Sequence, residues 1–239
     1  TTEELLILYE LSLNLGQSMQ PEETGRRFLK TLLSRCKLSA ASIWWRELCQ
    51  DGLALSDGHP EFTLLEAIPR GQYRQSSQPI HPALKQLLDA GHAQVIQANA
   101  AGAQDYTVFA SDAVVSPVAL AAFPLGQDGL LLLEAVDGDV FTSRFLGQLR
   151  AVVNNLANTL RGGMAYAQLQ ARTAELDASR NLLQTIIDTA PLRVFWKDRD
   201  SRYLGCNPAF ARDAGKQSPA ELIGKDDYQM GWAPEADLY

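Results

Sequence analysis

The sequence predicts an α+β protein in three parts: an antiparallel sheet with helices on both faces, one very long helix, and a short α/β segment. Three observations predict it. Runs of β-branched, aromatic and other large apolar residues lie between residues 40 and 136, each bounded by turn-forming residues. No proline occurs between Pro124 and Pro191, and helical periodicity persists over most of that stretch. Beyond Pro191 the pattern shortens to strand, turn, strand and helix start.

The elements follow in order. Leu5, Leu8, Leu11 and Leu15 have helical spacing, with Gly16 near the end. A second helix restarts at Pro21, a first-turn position, with Glu22 and Glu23 beside its positive end and an apolar stripe of Phe28, Leu29, Leu32 and Leu33. "ASIWWREL" then reads as a strand, and "GLALS" and "FTLLEAI" as two more, separated by the turn "DGHPE". "HPALKQLLDAG" is a short helix opened by Pro82 and closed by Gly91. "AQVIQA" is a short strand, and residues 99–112 a small, polar loop or short helix. "VVSPVALAAFPL" and "GLLLLEAV" are strong strands joined by "GQDG". Their near-continuous hydrophobicity predicts a sheet of five or six strands covered on both faces.

Thr142 is a good N-cap, with Phe141 and Leu146 placed for a hydrophobic staple. A helix from there to about Thr189 would span roughly 70 Å, too long for one compact domain, and is expected to connect two. Leu146, Leu149, Val153, Leu156 and Leu160 alternate at spacings of three and four, the spacing of a two-chain seam. The alternative is packing on the helix's own sheet. Leu169, Leu176 and Leu183 repeat every seven residues in a different register, also as a seam. The register changes around Gly162 and Gly163, where a kink or stutter is expected.

The net charge of −7, from 28 acidic and 21 basic residues, disfavours nucleic-acid binding. No apolar run is long enough to cross a bilayer and no signal peptide is visible, so a cytoplasmic fragment is expected. Cys36, Cys49 and Cys206 are odd in number and widely separated, which indicates reduced thiols rather than a disulfide framework or zinc site.

In the last part, Asn207 is an N-cap with Pro208 at the first helical position, and Ser218, Pro219 and Glu221 form a capping box for a short helix closed by Gly224. "DTAP", "KDRDSRYL", "CNPAF" and "ELIGKDD" follow one another as in the opening of a PAS domain, which this segment resembles. The resemblance covers about half of such a domain. It implies that the last three strands are missing, so that this segment by itself makes no complete PAS pocket. The segment would then be disordered, pair with another chain, or be cut off. Residues 1–160 resemble a GAF domain, on the order of elements above and on "LLDAGHAQVIQ" and "ALAAFPLGQDGLLLLEAV" in particular. The expected organisation is a GAF-like domain at 1–160, a coiled-coil signalling helix at 161–190 continuous with the last GAF helix, and the N-terminal part of a PAS domain at 191–239.

The GAF resemblance implies small-molecule binding on one sheet face, beneath residues 99–112. Candidate lining residues are Trp44 or Trp45, Phe62, Tyr106 and Phe109, with the two tryptophans on opposite faces by strand alternation. The alternative is that all are ordinary core aromatics. The Asn-Lys pair of cyclic-nucleotide-binding relatives is absent, as is the Asp-Ile-Pro of bilin-binding ones. His59, His81 and His92 sit at turns or helix ends and read as surface residues. No phosphate-binding glycine loop or G-x-S-x-G occurs. The GAF-fold enzymes that reduce free methionine sulfoxide use clustered cysteines, which Cys36 and Cys49 do not supply. Asp137 and Asp139 are too few for a cation loop and read as a turn.

The two resemblances imply the sensory and dimerising input region of a bacterial signalling protein. It would form a homodimer through the first and long helices, sense a small molecule or redox state, and act on an effector in the same chain. No cofactor, metal or catalytic residue is assigned. The alternatives are a ligand-free dimerisation module and a small-molecule enzyme.

Overall fold

Helices begin and end where capping chemistry places them. The computed structural model describes residues 2–46, 61–73, 75–100, 102–113 and 115–238. The first helices are α1 (Thr2–Asn14) and α2 (Pro21–Arg35). They are followed by β1 (Ala40–Arg46), β2 (Glu61–Ile68), β3 (Ser77–Pro79), α3 (Pro82–Ala90), β4 (Gln94–Gln97) and α4 (Gln104–Thr107). Then come β5 (Ala119–Pro124), β6 (Gly129–Ala135) and α5 (Ser143–Thr189). Pro82 opens α3, and Gly91 closes it at φ 65°, the left-handed conformation that glycine adopts without a Cβ penalty. Thr142 caps α5, its hydroxyl accepting from Phe145 N at 3.2 Å. The expected strand "GLALS", the turn after it, Cys49 and His59 lie outside the described residues.

The described chain divides at Gln168 and Leu169 into two units. In the first, the strands form one antiparallel sheet in the order β3-β2-β1-β6-β5-β4. β3 was not legible as a strand, because Ser-Gln-Pro has no apolar alternation. It is held by backbone pairing to β2 at the sheet edge, where a proline is tolerated. Alternation along the central strands sends side chains to two separate cores. Ala41, Ile43, Trp45, Leu131 and Leu133 join Leu11 of α1, Leu15 just after it, Phe28, Leu29 and Leu32 of α2, and the first half of α5. Trp44, Leu120, Leu130 and Leu132 join Phe62, Tyr106, Phe109 and Leu84, Leu87 and Leu88 of α3.

This arrangement corrects the expectation for the first half of α5. Leu149, Val153, Leu156 and Leu160 are wholly buried in the helix-side core and Leu146 packs against it, so that stripe covers the sheet of its own chain. Spacings of three and four mark an apolar face but do not say whether a sheet or a second helix covers it. Leu169, Leu176 and Leu183, on the same helix, are 63, 70 and 58% exposed.

Helix α5 runs unbroken through Gly162 and Gly163, where a kink or stutter is expected from the change of register. Gly163 is present because the turn between α1 and α2 passes against it. A Cβ there would sit 2.8 Å from the carbonyl oxygen of Met19 and 3.2 Å from Pro21 Cγ, whereas one at Gly162 would meet nothing within 4 Å. Alanine gains about 1 kcal/mol of helix propensity over glycine at either position. Gly162→Ala is therefore expected to stabilise by up to about 1 kcal/mol. Gly163→Ala is expected to destabilise by about 1–3 kcal/mol through overpacking against backbone. Urea unfolding of the two variants checks this; equal stabilisation by both would show that the close approach costs nothing.

The second unit contains the end of α5, β7 (Phe195–Lys197) and β8 (Tyr203–Cys206) as an antiparallel pair, and α6 (Pro208–Asp213). It has its own small core: Tyr203, Cys206, Ala211, Ala214, Leu222 and Met230, with Phe210 and Trp232 against it. Asn207 caps α6 by accepting from Phe210 N at 2.9 Å. Glu221 closes the capping box with Ser218 N at 3.0 Å, and Gly224 takes φ 78° after it.

Candidate functional site

The face of the sheet away from α2 and α5 has an apolar floor and a polar cluster beside it. Trp44 projects from β1 onto this floor and meets Phe109 edge-to-face, with ring centroids 5.1 Å apart; Phe109 meets Phe62 in the same way at 6.3 Å. The Trp44 indole N–H donates to Ser42 Oγ at 2.9 Å. Tyr106 comes from α4, and its hydroxyl lies 3.2 Å from the Ala83 carbonyl oxygen. Burial pushes the Tyr106 phenol upward, with Asp105 adding to the effect.

Beside this floor lies a cavity of about 320 Å³ lined by Trp44, Tyr73, Gln75, Thr107, Val108, Ala110 and Asp112. The stretch after α4 thus supplies most of one wall, and Tyr73 and Gln75, between β2 and β3, the other. Of the residues singled out from sequence, only Trp44 lines the cavity. Phe62, Tyr106 and Phe109 belong to the floor beside it. Trp45 points into the opposite core, one residue further along the alternating strand.

Sequence reasoning missed the residue that holds this wall in place. Glu134, on β6, is wholly buried and faces the cavity side. Tyr73 Oη donates to its Oε1 at 2.7 Å, Ser111 N to the same oxygen at 2.8 Å, and Ser111 Oγ to its Oε2 at 2.6 Å. Asp112 N donates to the Gln72 carbonyl at 2.7 Å, so the two cavity walls are tied to each other as well as to Glu134. Burial, reinforced by the adjacent Glu134 carboxylate, raises the Tyr73 phenol far above the ordinary tyrosine range, so Tyr73 stays a donor. A signal was present: "GLLLLEAV" is a strand apolar on both faces, and its one acidic residue has to be buried somewhere.

The second unit has a cavity of its own, about 260 Å³, lined by Phe195, Lys197, Tyr203, Phe210, Asp227 and Trp232. Lys197 Nζ pairs with Asp227 and lies 4.5 Å from the Tyr203 ring centroid. Tyr203 Oη and Trp232 Nε1 donate to Asp227 Oδ1 at 2.6 and 3.2 Å. Burial alone would raise the Asp227 carboxyl, but the bonds from Lys197, Tyr203 and Trp232 hold it below the usual range.

No protein-family model matches the chain, and no curated protein matches it. Solved structures do. The GAF domain of a phosphoenolpyruvate-protein phosphotransferase from Coxiella burnetii is 12% identical, with 70% of this chain and 98% of that one covered at a TM-score of 0.50. The corresponding Acinetobacter domain is 11% identical, covering 69% and 96% at 0.52. The chain has the GAF fold. A free methionine-R-sulfoxide reductase from Neisseria meningitidis, in complex with its substrate, is similar too, at 11% identity, 68% and 91% coverage and a TM-score of 0.53. The same fold therefore serves enzymes as well as GAF domains of larger proteins.

Within the GAF unit, Cys36 packs against the helix-side core, across the sheet from the cavity, and burial pushes its thiol up to about 11. His81 and His92 are exposed. Among the described residues no group of three or more His, Cys, Asp or Glu converges to hold a metal ion, and no helix is long and apolar enough to cross a membrane.

Proposed function

We propose that this chain is the sensory input region of a signal-transduction protein. In this reading a small molecule enters the cavity of the GAF unit, and its binding changes how α5 packs against the α5 of a second copy. The second unit, as the opening of a PAS-like domain, passes that change to an effector elsewhere in the protein. Two packings differing by a few kcal/mol suffice for such a switch.

One observation carries the reading. A single helix covers its own sheet with Leu149 to Leu160, then continues with Leu169, Leu176 and Leu183 exposed at heptad spacing. A row of uncovered leucines on a continuous helix is the surface a parallel coiled coil buries. Helix α1 adds to it: Leu11 is buried, while Leu5, Leu6, Tyr9 and Leu13 face outward. A helix apolar on more than one side is normally covered on each.

Native mass spectrometry of protein purified from cells tests both parts, since it reports dimer mass and any retained small molecule together. Replacing Leu169, Leu176 and Leu183 together by glutamine keeps helix propensity and removes six leucines from the dimer. At about 1.5–3 kcal/mol for each buried leucine, dissociation should strengthen by well over a hundredfold. The expected spectrum is dimeric for the parent and monomeric for the variant. A monomeric parent would end the coiled-coil reading, and a dimer whose cavity accepts no ligand would leave only a dimerisation spacer.

A further inference from the structure

The exposed row on the second half of α5 is not uniformly apolar. Leu169, Leu176 and Leu183 recur every seven residues, and Thr173, Arg180 and Ile187 each follow one of them by four. The six positions alternate at spacings of four and three, the spacing of a two-helix seam. Thr173 returns its hydroxyl to the Leu169 carbonyl oxygen at 2.9 Å, so it brings no unsatisfied donor to that face. Ile187 is half-buried. Arg180 is different: it puts an exposed charge in the middle of the row, between Leu176 and Leu183. Asp177 lies one turn before it, where opposite charges on a helix meet.

Two helices carrying this row have several ways to pair, and the charges favour one. Arg172 and Asp177 stand five positions apart on opposite flanks of the row. In a parallel pair without stagger those flanks run along each other, so Arg172 faces the partner's Asp177 at both edges. An antiparallel pair instead brings Asp177 towards the partner's Asp177. A stagger of one heptad leaves a leucine uncovered on each copy. The unstaggered parallel pair also sets Arg180 opposite the partner's Arg180. Its aliphatic stem covers the neighbouring leucines while the guanidinium reaches water beside Asp177. A single charged position inside an apolar seam weakens the association, and it specifies register and the number of strands.

We propose that α5 binds a second copy of this chain in parallel and without stagger, and that Arg180 is the layer that fixes this register. The proposal rests on the second half of α5 being a coiled-coil surface. Arg180 faces the partner's Arg180, and Arg172 faces the partner's Asp177. With two like charges in place of apolar contact, the layer at 180 is the weakest of the seam.

Mixing the parent with Arg180→Glu tests the register, because the introduced carboxylate meets Arg180 only if the two positions face each other. Arg180 is exposed within one copy, so the substitution spares the fold. The exchange constant should favour the mixed dimer at least about tenfold, raising its share from the random value of about half to about three-quarters. Native mass spectrometry with one chain isotope-labelled counts the three dimers. Arg180→Leu turns the charged layer into an apolar one and should tighten self-association at least about tenfold. A mixed-dimer share of about half would overturn the register and leave dimerisation standing. Unchanged self-association of the leucine variant would overturn the placement of Arg180 in the seam. A monomeric parent would overturn the coiled-coil surface and the proposal together.

Discussion

Asn207→Asp is expected to release the last turn of the long helix from the rest of the second unit. Asn207 is wholly buried and uses both ends of its amide. Its Nδ2 donates to the Ile187 carbonyl, in the last turn of α5, at 3.1 Å and to the Leu192 carbonyl at 2.7 Å. Its Oδ1 accepts from Val194 N at 3.1 Å and Phe210 N at 2.9 Å. One side chain therefore joins the end of α5, the connector and the start of α6. Aspartate keeps the acceptors but has no donor when ionised, so a buried charge would face two carbonyl oxygens. Each abandoned carbonyl costs about 1–3 kcal/mol, and burial of the charge adds to this. The second unit should lose about 3 kcal/mol or more. Amide exchange over residues 186–194 should rise at least about tenfold, with the GAF unit unchanged. Asn207→Ala should in addition lose protection at the Phe210 amide. Parent-like exchange at 186–194 in the aspartate variant would show that α5 is not held by this side chain.

Glu134→Ala is expected to free the cavity walls. It removes the acceptor for Tyr73 Oη, Ser111 N and Ser111 Oγ at once. Hydrogen bonds to charged groups contribute about 1.5–3 kcal/mol each, and relief of the buried charge offsets part of their loss. A net cost of about 3 kcal/mol follows, with Glu134→Gln within about 1 kcal/mol of the parent because its amide can replace each partner. Exchange should rise at 104–112 and around Tyr73 in the alanine variant alone. Equal stability of the alanine and glutamine variants would show that the walls are held by packing rather than by this carboxylate.

Much of the architecture could be read directly. Pro82 with Gly91, Thr142 with Pro191, and Asn207 with Pro208 mark element ends by short-range backbone chemistry, and each structure they imply is present. Strand alternation alone puts Trp44 and Trp45 on opposite faces of the sheet, where they lie in opposite cores. Where the reading went astray, the missing information was long-range. The leucines from 146 to 160 show that an apolar stripe exists, but the nearby sheet rather than a second chain covers it. The Gly162–Gly163 pair resembles a helix breaker by composition. What it accommodates is the backbone at Met19, more than a hundred positions away and unmarked by any local pattern.

Along the chain, then, the sequence by itself determined where helices and strands start and stop, and that the central strands are covered on both sides. Those properties depend on residues a few positions apart. Only the tertiary structure decided which stripe meets which surface. It also placed Glu134 against Tyr73 and Ser111, and Asn207 against the end of α5. A hydrogen bond between groups 61 positions apart requires that the intervening chain already be folded, so nothing local can encode it.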